Sequence, residues 1–533
     1  MTAPDDVALQ RRRLLLGGIG ASGLALLGAL PRGAGAYPGN AYPFTLGVAS
    51  GSPLPDAVVI WTRILFDPLD AGAMPPVALA VRWEMAHDEA FTQLAAKGLA
   101  SAAPALGHSV HVDVTGLVPG RVYWYRFMLG DAVSPVGRTR TAPAPDSRPD
   151  ALKLVLASCQ HWEFGTYAAH RHIAAAAPDL VLFVGDYIYE WGPYQLQHPA
   201  KPVRTAESFT LAEYRARYAQ YKSDPQLQQA HLVAPWIVTW DDHEVANDYG
   251  NDRDERLSPD FLQRRAAAYQ AFYEHMPVRL SLGPHGFAQM RIYQRYDWGR
   301  LARLHVLDDR QYRSYHACPK PGRGGSNVVD MRDCPALLDP SRTMLGAAQQ
   351  SWLEAGLNGS PARWNILMQQ TLMAQASQVP LPQPMLQPGG RYWTDGWDGY
   401  PMARQRLLEL VELSRARNPL VLSGDVHSFF ATELCRNPMR AGAADNPIVA
   451  TELCGTSITS PSRPQERTDQ MVALNPHIKY GRSDKRGYML LDITRERTTA
   501  HFQGLDNVQD AQSGQSTLAR FTIEEGKPGL LRT

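Results

Sequence analysis

The chain has 533 residues, and its 53 Lys plus Arg nearly balance 52 Asp plus Glu, for a formal net charge of +1. That length allows two or three domains and a large core. The balanced charge, with no basic block interleaved with aromatics, argues against a nucleic-acid groove.

The first 36 residues read as a targeting segment rather than a membrane span. Gln10-Arg11-Arg12-Arg13 precedes a short, glycine-rich apolar run that ends at Leu30 before Pro31-Arg32, and Ala34-Gly35-Ala36 offers a small-residue cleavage site. The paired arginines resemble a twin-arginine signal. They predict a periplasmic or secreted protein, exported by the twin-arginine translocation machinery and without a transmembrane anchor after processing.

Residues 37–145 read as all-β, with strands expected at 44–51, 57–63 and 79–84 between turn residues. The spacing Leu117-x-Pro119-Gly120-x-x-Tyr123 resembles the tyrosine corner of fibronectin-like domains, and Tyr123, Tyr125 and Phe127 share one face as core. Pro143, Pro145 and Pro149 mark a short linker. From 150 to 533, strands alternate with helix-like runs at 167–177, 211–220, 261–275, 344–356 and 401–417, which predicts a layered α/β domain.

Three apolar runs in that domain end in loops rich in metal-binding side chains. Leu180-Val181-Leu182-Phe183-Val184 leads into Gly185-Asp186-Tyr187-Ile188-Tyr189-Glu190, Trp236-Ile237-Val238-Thr239 into Trp240-Asp241-Asp242-His243-Glu244, and Pro419-Leu420-Val421-Leu422 into Ser423-Gly424-Asp425-Val426-His427. Loops leaving the carboxyl ends of such strands are where α/β sheets place their chemistry. Asp186 has two oxygens with which to bridge a pair of cations. Tyr189 and Cys159 become good anionic ligands only beside a strongly acidic metal, which favours iron over calcium or magnesium. His427 offers an imidazole, and Asp242 and Asp425 offer carboxylates suited to a harder second cation such as calcium. Five cysteines leave one unpaired in an oxidising compartment: Cys318 with Cys334 and Cys435 with Cys454 fit as disulfides, which would leave Cys159 as the odd thiol.

These motifs in this order resemble the alkaline phosphatase D family of the metallophosphoesterase superfamily. The likeness also rests on Val59-Ile60-Trp61-Thr62-Arg63, Ala157-Ser158-Cys159-Gln160, Leu307-Asp308-Asp309-Arg310-Gln311-Tyr312-Arg313 and Trp397-Asp398-Gly399-Tyr400. The resemblance implies a fibronectin-like β-sandwich followed by a double-sheet α/β/β/α metallophosphoesterase domain. It also implies a site holding ferric iron (Fe3+) with calcium (Ca2+). Cys159, Asp186 and Tyr189 match the family's iron ligands, and Asp425 and His427 its last metal motif. By likeness to the wider superfamily, Asp242 aligns with a metal ligand and His243 with a phosphate-contacting general acid. Asn247 is expected to ligate metal or donate to a phosphate oxygen, Glu244 to orient a neighbour, and Arg404 either to contact substrate or to pair structurally with Asp398. The expected reaction is hydrolysis of phosphate monoesters or diesters by a metal-held hydroxide, without a covalent intermediate. A phospholipase D or wall-polymer phosphodiesterase is the alternative, and a non-haem iron oxidoreductase a distant one.

Overall fold

The computed structural model describes residues 41–70, 74–194, 198–202, 205–280, 286–380, 389–437, 440, 443 and 445–533. The expected signal segment lies outside them. Two large sheets dominate. In the first, Ala151–Ala157, Leu180–Phe183 and Trp236–Val238 run parallel, and the antiparallel strands Gly487–Thr494, Arg497–Leu505, Gln515–Glu524 and Leu531–Arg532 extend it on one side. In the second, Ala302–Val306, Trp364–Met368, Pro419–Ser423 and Ile448–Cys454 run parallel, flanked by Gln294–Trp298 on one side and by Phe429–Cys435 and Ile478–Arg482 on the other.

Strand periodicity decides which side chains face which layer. Leu180 and Leu182 point between the sheets, where they join Ile366, Met368, Leu420 and Leu422 of the second sheet in one core. Val181 and Phe183 point the other way, into a second core with Tyr218, Leu227, Ala268 and Phe272 of the covering helices. On the outer face of the second sheet, Leu367 and Val421 meet Leu353, Leu407 and Val411 from the helices Gly346–Leu357 and Pro401–Ser414. The layers are thus helix, sheet, sheet, helix. Local signals set the helix ends: Thr210 and Glu213 form a capping box on Leu211–Lys222, and Asp224 caps Pro225–Val233. The helix expected to 417 stops at Ser414, because Arg415 turns left-handed at φ 54°.

At the front of the chain, where a β-sandwich was expected, the strands divide between two sheets. Val48–Gly51, Ala57–Arg63 and Ser109–Thr115 join the edge of the first large sheet through the parallel pairing of Gly51 with Trp236. Leu79–Ala86, Leu94–Ala102, Val122–Leu129, Ala132–Val133 and Gly137–Arg140 form a separate sheet. Strand pairing thus runs across the expected boundary at 145. Tyr123, Tyr125 and Phe127 are fully buried as expected, and the Tyr123 hydroxyl accepts from Val118 N at 2.8 Å.

Cys318 and Cys334 form the expected disulfide. Cys435 and Cys454 do not bond to one another. Each ends its strand, but the two strands pair antiparallel, with Cys454 opposite Phe430 and Cys435 opposite Ile448, so the sulfurs lie at opposite ends of the ladder.

Candidate metal centre

The predicted metal ligands converge at the carboxyl ends of the parallel strands. Cys159, Asp186, Asp425 and His427 all adopt positive φ, at 58°, 56°, 64° and 54°. Such backbone is uncommon for these residues and concentrates at functional sites. Glycine makes one of these turns possible: a Cβ on Gly185, at φ +108°, would lie 2.4 Å from Asp241 Cβ. The loops are cross-tied, with Cys159 N donating to Gly185 O at 3.1 Å and Gln160 N to Asp186 O at 3.0 Å.

One cluster joins Cys159, Asp186 and His427, a second Asp186, Asp242 and His243, and a third Asp241, Asp242 and Asp425. Asp186 belongs to two of them. The Tyr189 hydroxyl donates to Asp186 Oδ2 at 2.8 Å and lies 3.2 Å from His427 Nε2, while Ser460 Oγ donates to it at 2.7 Å. His427 Nδ1 is held by Pro461 O at 2.7 Å, which fixes the tautomer whose Nε2 lone pair faces the cluster. Among these buried groups, Asp186 Oδ1, Asp241 Oδ2, Asp242 Oδ1 and Asp425 Oδ2 make no hydrogen bond. Orphaned carboxylate oxygens at this density are costly unless cations satisfy them, so the donor set fits a pair of metal ions.

The protein's own electrostatics point the same way. Burial and then Asp186 push the Cys159 thiol and the Tyr189 phenol well above their ordinary values. Burial raises Asp425 well above the carboxylate range, with Asp395 and Asp242 adding to it against Arg310. Burial also opposes ionisation of Asp186, yet His243 and His427 bring it down to about 2. A bound cation supplies the positive charge that thiolate, phenolate and carboxylates need together.

The remaining predicted residues divide. Glu244 is an orienting group, accepting from Asp186 N at 3.1 Å, Tyr187 N at 2.6 Å and Asp241 N at 2.7 Å. His243 Nδ1 pairs with Glu190 Oε2 at 2.8 Å, and its ring lies between Tyr189 and Trp191. Asn247 lines the cavity, but its backbone N donates to Glu190 Oε1 at 2.7 Å and its Nδ2 to Glu255 Oε2 at 3.2 Å. The buried Arg404 guanidinium donates to Asp398 at 2.7 Å and to Met373 O at 3.1 Å, the structural pairing that stood as the alternative to substrate contact.

In the sequence Arg310 stands out only as part of a motif, and the fold makes it central. Fully buried, it donates to Asp241 Oδ1 and to Asp395 Oδ2 at 2.7 Å, and lies 3.5 Å from Asp242 and 3.7 Å from Asp425. Asp395 is tied further to Arg313 and His316, both at 2.8 Å. Asp241, beside Asp242, and Glu190, at the end of the Tyr189 motif, carried a signal of proximity; Asp395 carried none. The centre opens into a cavity of about 770 Å³, walled by aromatics such as Phe164, Trp191, Tyr194 and Trp393.

The model of the PhoD-like phosphatase family matches residues 154–502, and that of the PhoD-like phosphatase N-terminal domain matches 31–143. The chain belongs to the PhoD-like phosphatase family. This PhoD-like chain is 41% identical over 534 aligned residues to alkaline phosphatase D of Bacillus subtilis (strain 168), covering 98% of this chain and 88% of that one. A solved structure of PhoD superposes with a TM-score of 0.85 at 41% identity, covering 93% of this chain and 92% of the other. The purple acid phosphatase PPD1 of yellow lupin (Lupinus luteus) shares the fold at a TM-score of 0.52 and 12% identity, covering 91% of this chain and 74% of that one. The chain is accordingly a phosphoesterase.

Proposed function

We propose that the protein is an exported phosphatase that hydrolyses phosphate monoesters or diesters at a mixed iron and calcium centre. The observation that carries the reading is the position of Asp186 in two ligand clusters at once, amid buried carboxylate oxygens that have no hydrogen-bond donor. Cys159, Tyr189, Asp186 and His427 would hold ferric iron, since thiolate and phenolate suit it. Asp186, Asp242 and Asp425 would hold calcium through hard oxygens. When bound, such a pair lowers the pKa of a water nucleophile and neutralises phosphoryl oxygens.

The chain's own groups do the rest. Glu190 holds His243 through Nδ1, leaving Nε2 to protonate the departing alkoxide as general acid. Burial works against the His243 imidazolium, while Asp242 and Glu190 raise its pKa well above the ordinary value in the metal-free chain; with a cation on Asp242, Glu190 would be the partner that favours the charged form. Glu244 fixes the two acidic loops, and Arg310 holds the carboxylates close while no metal is bound. The aromatic wall keeps water from the ester's organic part. Among the described residues no helix is long and apolar enough to cross a membrane, and the twin-arginine segment supports export in the folded, metal-loaded state.

The test is elemental analysis and a visible spectrum of the processed protein, with rates on one simple monoester and one simple diester. About one iron per chain with calcium, and a phenolate-to-iron band lost in Tyr189→Phe, is the expected result. Zinc or manganese without the band would remove the roles given to Cys159 and Tyr189, and absence of turnover on both esters would remove the function.

A further inference from the structure

At the other end of the two sheets, five arginines line one cavity of about 240 Å³: Arg148, Arg300, Arg363, Arg417 and Arg495. They arrive from five separate places. Arg148 precedes Ala151–Ala157, Arg363 precedes Trp364–Met368 and Arg417 precedes Pro419–Ser423; Arg300 and Arg495 occupy the turns after Gln294–Trp298 and Gly487–Thr494. Arg148 and Arg417 mark the amino ends of the strands whose carboxyl ends deliver Cys159 and Asp425. A strand's length, on the order of 20 Å, separates the cavity from the metal centre.

The arginine-bearing loops are pinned to one another. Arg300 N donates to Ser147 O at 2.9 Å and Arg363 N to Arg300 O at 3.0 Å. Arg363 Nη1 donates to Arg495 O at 2.9 Å, and Asn365 Nδ2 to Arg417 O at 2.8 Å. Five guanidiniums face two carboxylates: Asp146 pairs with Arg300 at 2.8 Å, and Glu525 pairs with Arg417 and lies 3.9 Å from Arg363. Among the described residues neither Arg148 nor Arg495 has an ion-pair partner. A solvated surface would spread such charges apart. Here the fold gathers them around one concavity, in a chain whose net charge is only +1. Five arginines lining one small volume offer planar guanidinium forks of the kind that match the oxygens of a phosphate group.

We propose that this cavity is a second, non-catalytic anion site that takes a phosphate group, either free inorganic phosphate or the end of a longer phosphate chain. The site is independent of the metals and roles proposed above. Calorimetric titration of inorganic phosphate and of tripolyphosphate into the metal-loaded full chain, beside Arg148→Gln/Arg495→Gln and Asp146→Asn, tests it. The double variant should lose about tenfold in affinity at one site while turnover of a small ester is unchanged, and Asp146→Asn, which removes a competing carboxylate, should bind more tightly. Tripolyphosphate binding about tenfold tighter than orthophosphate would identify a chain-borne phosphate, and equal affinities free phosphate. Identical isotherms for all three proteins overturn the proposal, as would parallel loss of binding and turnover in the double variant. Should the double variant fail to fold, the exposed Asp146→Asn still decides, because unchanged affinity there also overturns it.

Discussion

Arg310 shows how much one buried cation carries. It neutralises Asp241 and Asp395 directly and lies within 4 Å of Asp242 and Asp425. Removing one partner of a buried ion cluster leaves uncompensated charge, which costs roughly 3–5 kcal/mol. Arg310→Met should lose about that much in urea unfolding of the metal-free chain, and Arg310→Lys should restore only part, since a point charge cannot fork to two carboxylates. A loss below about 1 kcal/mol would show the carboxylates to be held together by other means. Glu244 acts by acceptance alone. Glu244→Gln keeps the shape but turns an acceptor into a donor facing backbone N–H groups, so about 1–3 kcal/mol and a weaker hold on metal are expected, read by unfolding and elemental analysis.

At the scale of the element, the junction between strand and loop does the positioning. Leu180–Phe183 ends against Gly185, whose positive φ and lack of a side chain let the Asp186 loop pass the Asp241 loop. Gly185→Ala should therefore keep the far-ultraviolet dichroism of the fold yet lose bound metal and turnover together; full activity in that variant would refute the close approach. The Leu211–Lys222 helix shows an opposite tension, burying Lys222 with no carboxylate partner among the described residues, its ammonium 4.2 Å over the Trp61 ring and 5.4 Å over Tyr187. Burial lowers its pKa from 10.5 to about 7. Burial first, and Lys222 among the further causes, keeps His231, His275 and His111 neutral around it. The unfolded chain holds the Lys222 proton to pH 10.5 while the folded chain releases it near 7, so stability rises with pH across that window. The rise is at most about 1.4 kcal/mol per pH unit, offset in part by the two rings. Lys222→Met should flatten that rise and be the more stable protein at pH 7 and below. Equal slopes in the two proteins would show that Lys222 keeps its proton in the fold and would rule out the lowered pKa.

For the whole molecule, the Cys318–Cys334 link fastens a long excursion between the second sheet and the helix Gly346–Leu357, beside the mouth of the cavity where Val328 lies. It closes a loop of sequence separation 16, for which chain entropy predicts about 3 kcal/mol. Cys318→Ser/Cys334→Ser should lower the midpoint of thermal unfolding accordingly and leave the metal content unchanged. Loss of metal in that variant would mean that the excursion also shapes the centre.

Much of the candidate metal centre was legible in the sequence because Cys159, Asp186, Tyr189, Asp242, Asp425 and His427 come soon after apolar runs, and parallel strands deliver their trailing loops to the same edge of a sheet. The apolar run at 180–184 also marked a buried strand, though not which of its faces meets the second sheet. Pairing between distant segments was not legible. Nothing local says that Gly51 meets Trp236, that Cys435 and Cys454 end antiparallel neighbours, that Asp395 closes on Arg310, or that five scattered arginines share a cavity. The sequence by itself determined which side chains can bind metal and which strands carry them. Tertiary structure alone decided which charges share one buried volume, because Coulomb interactions depend on distance through the fold and not along the chain.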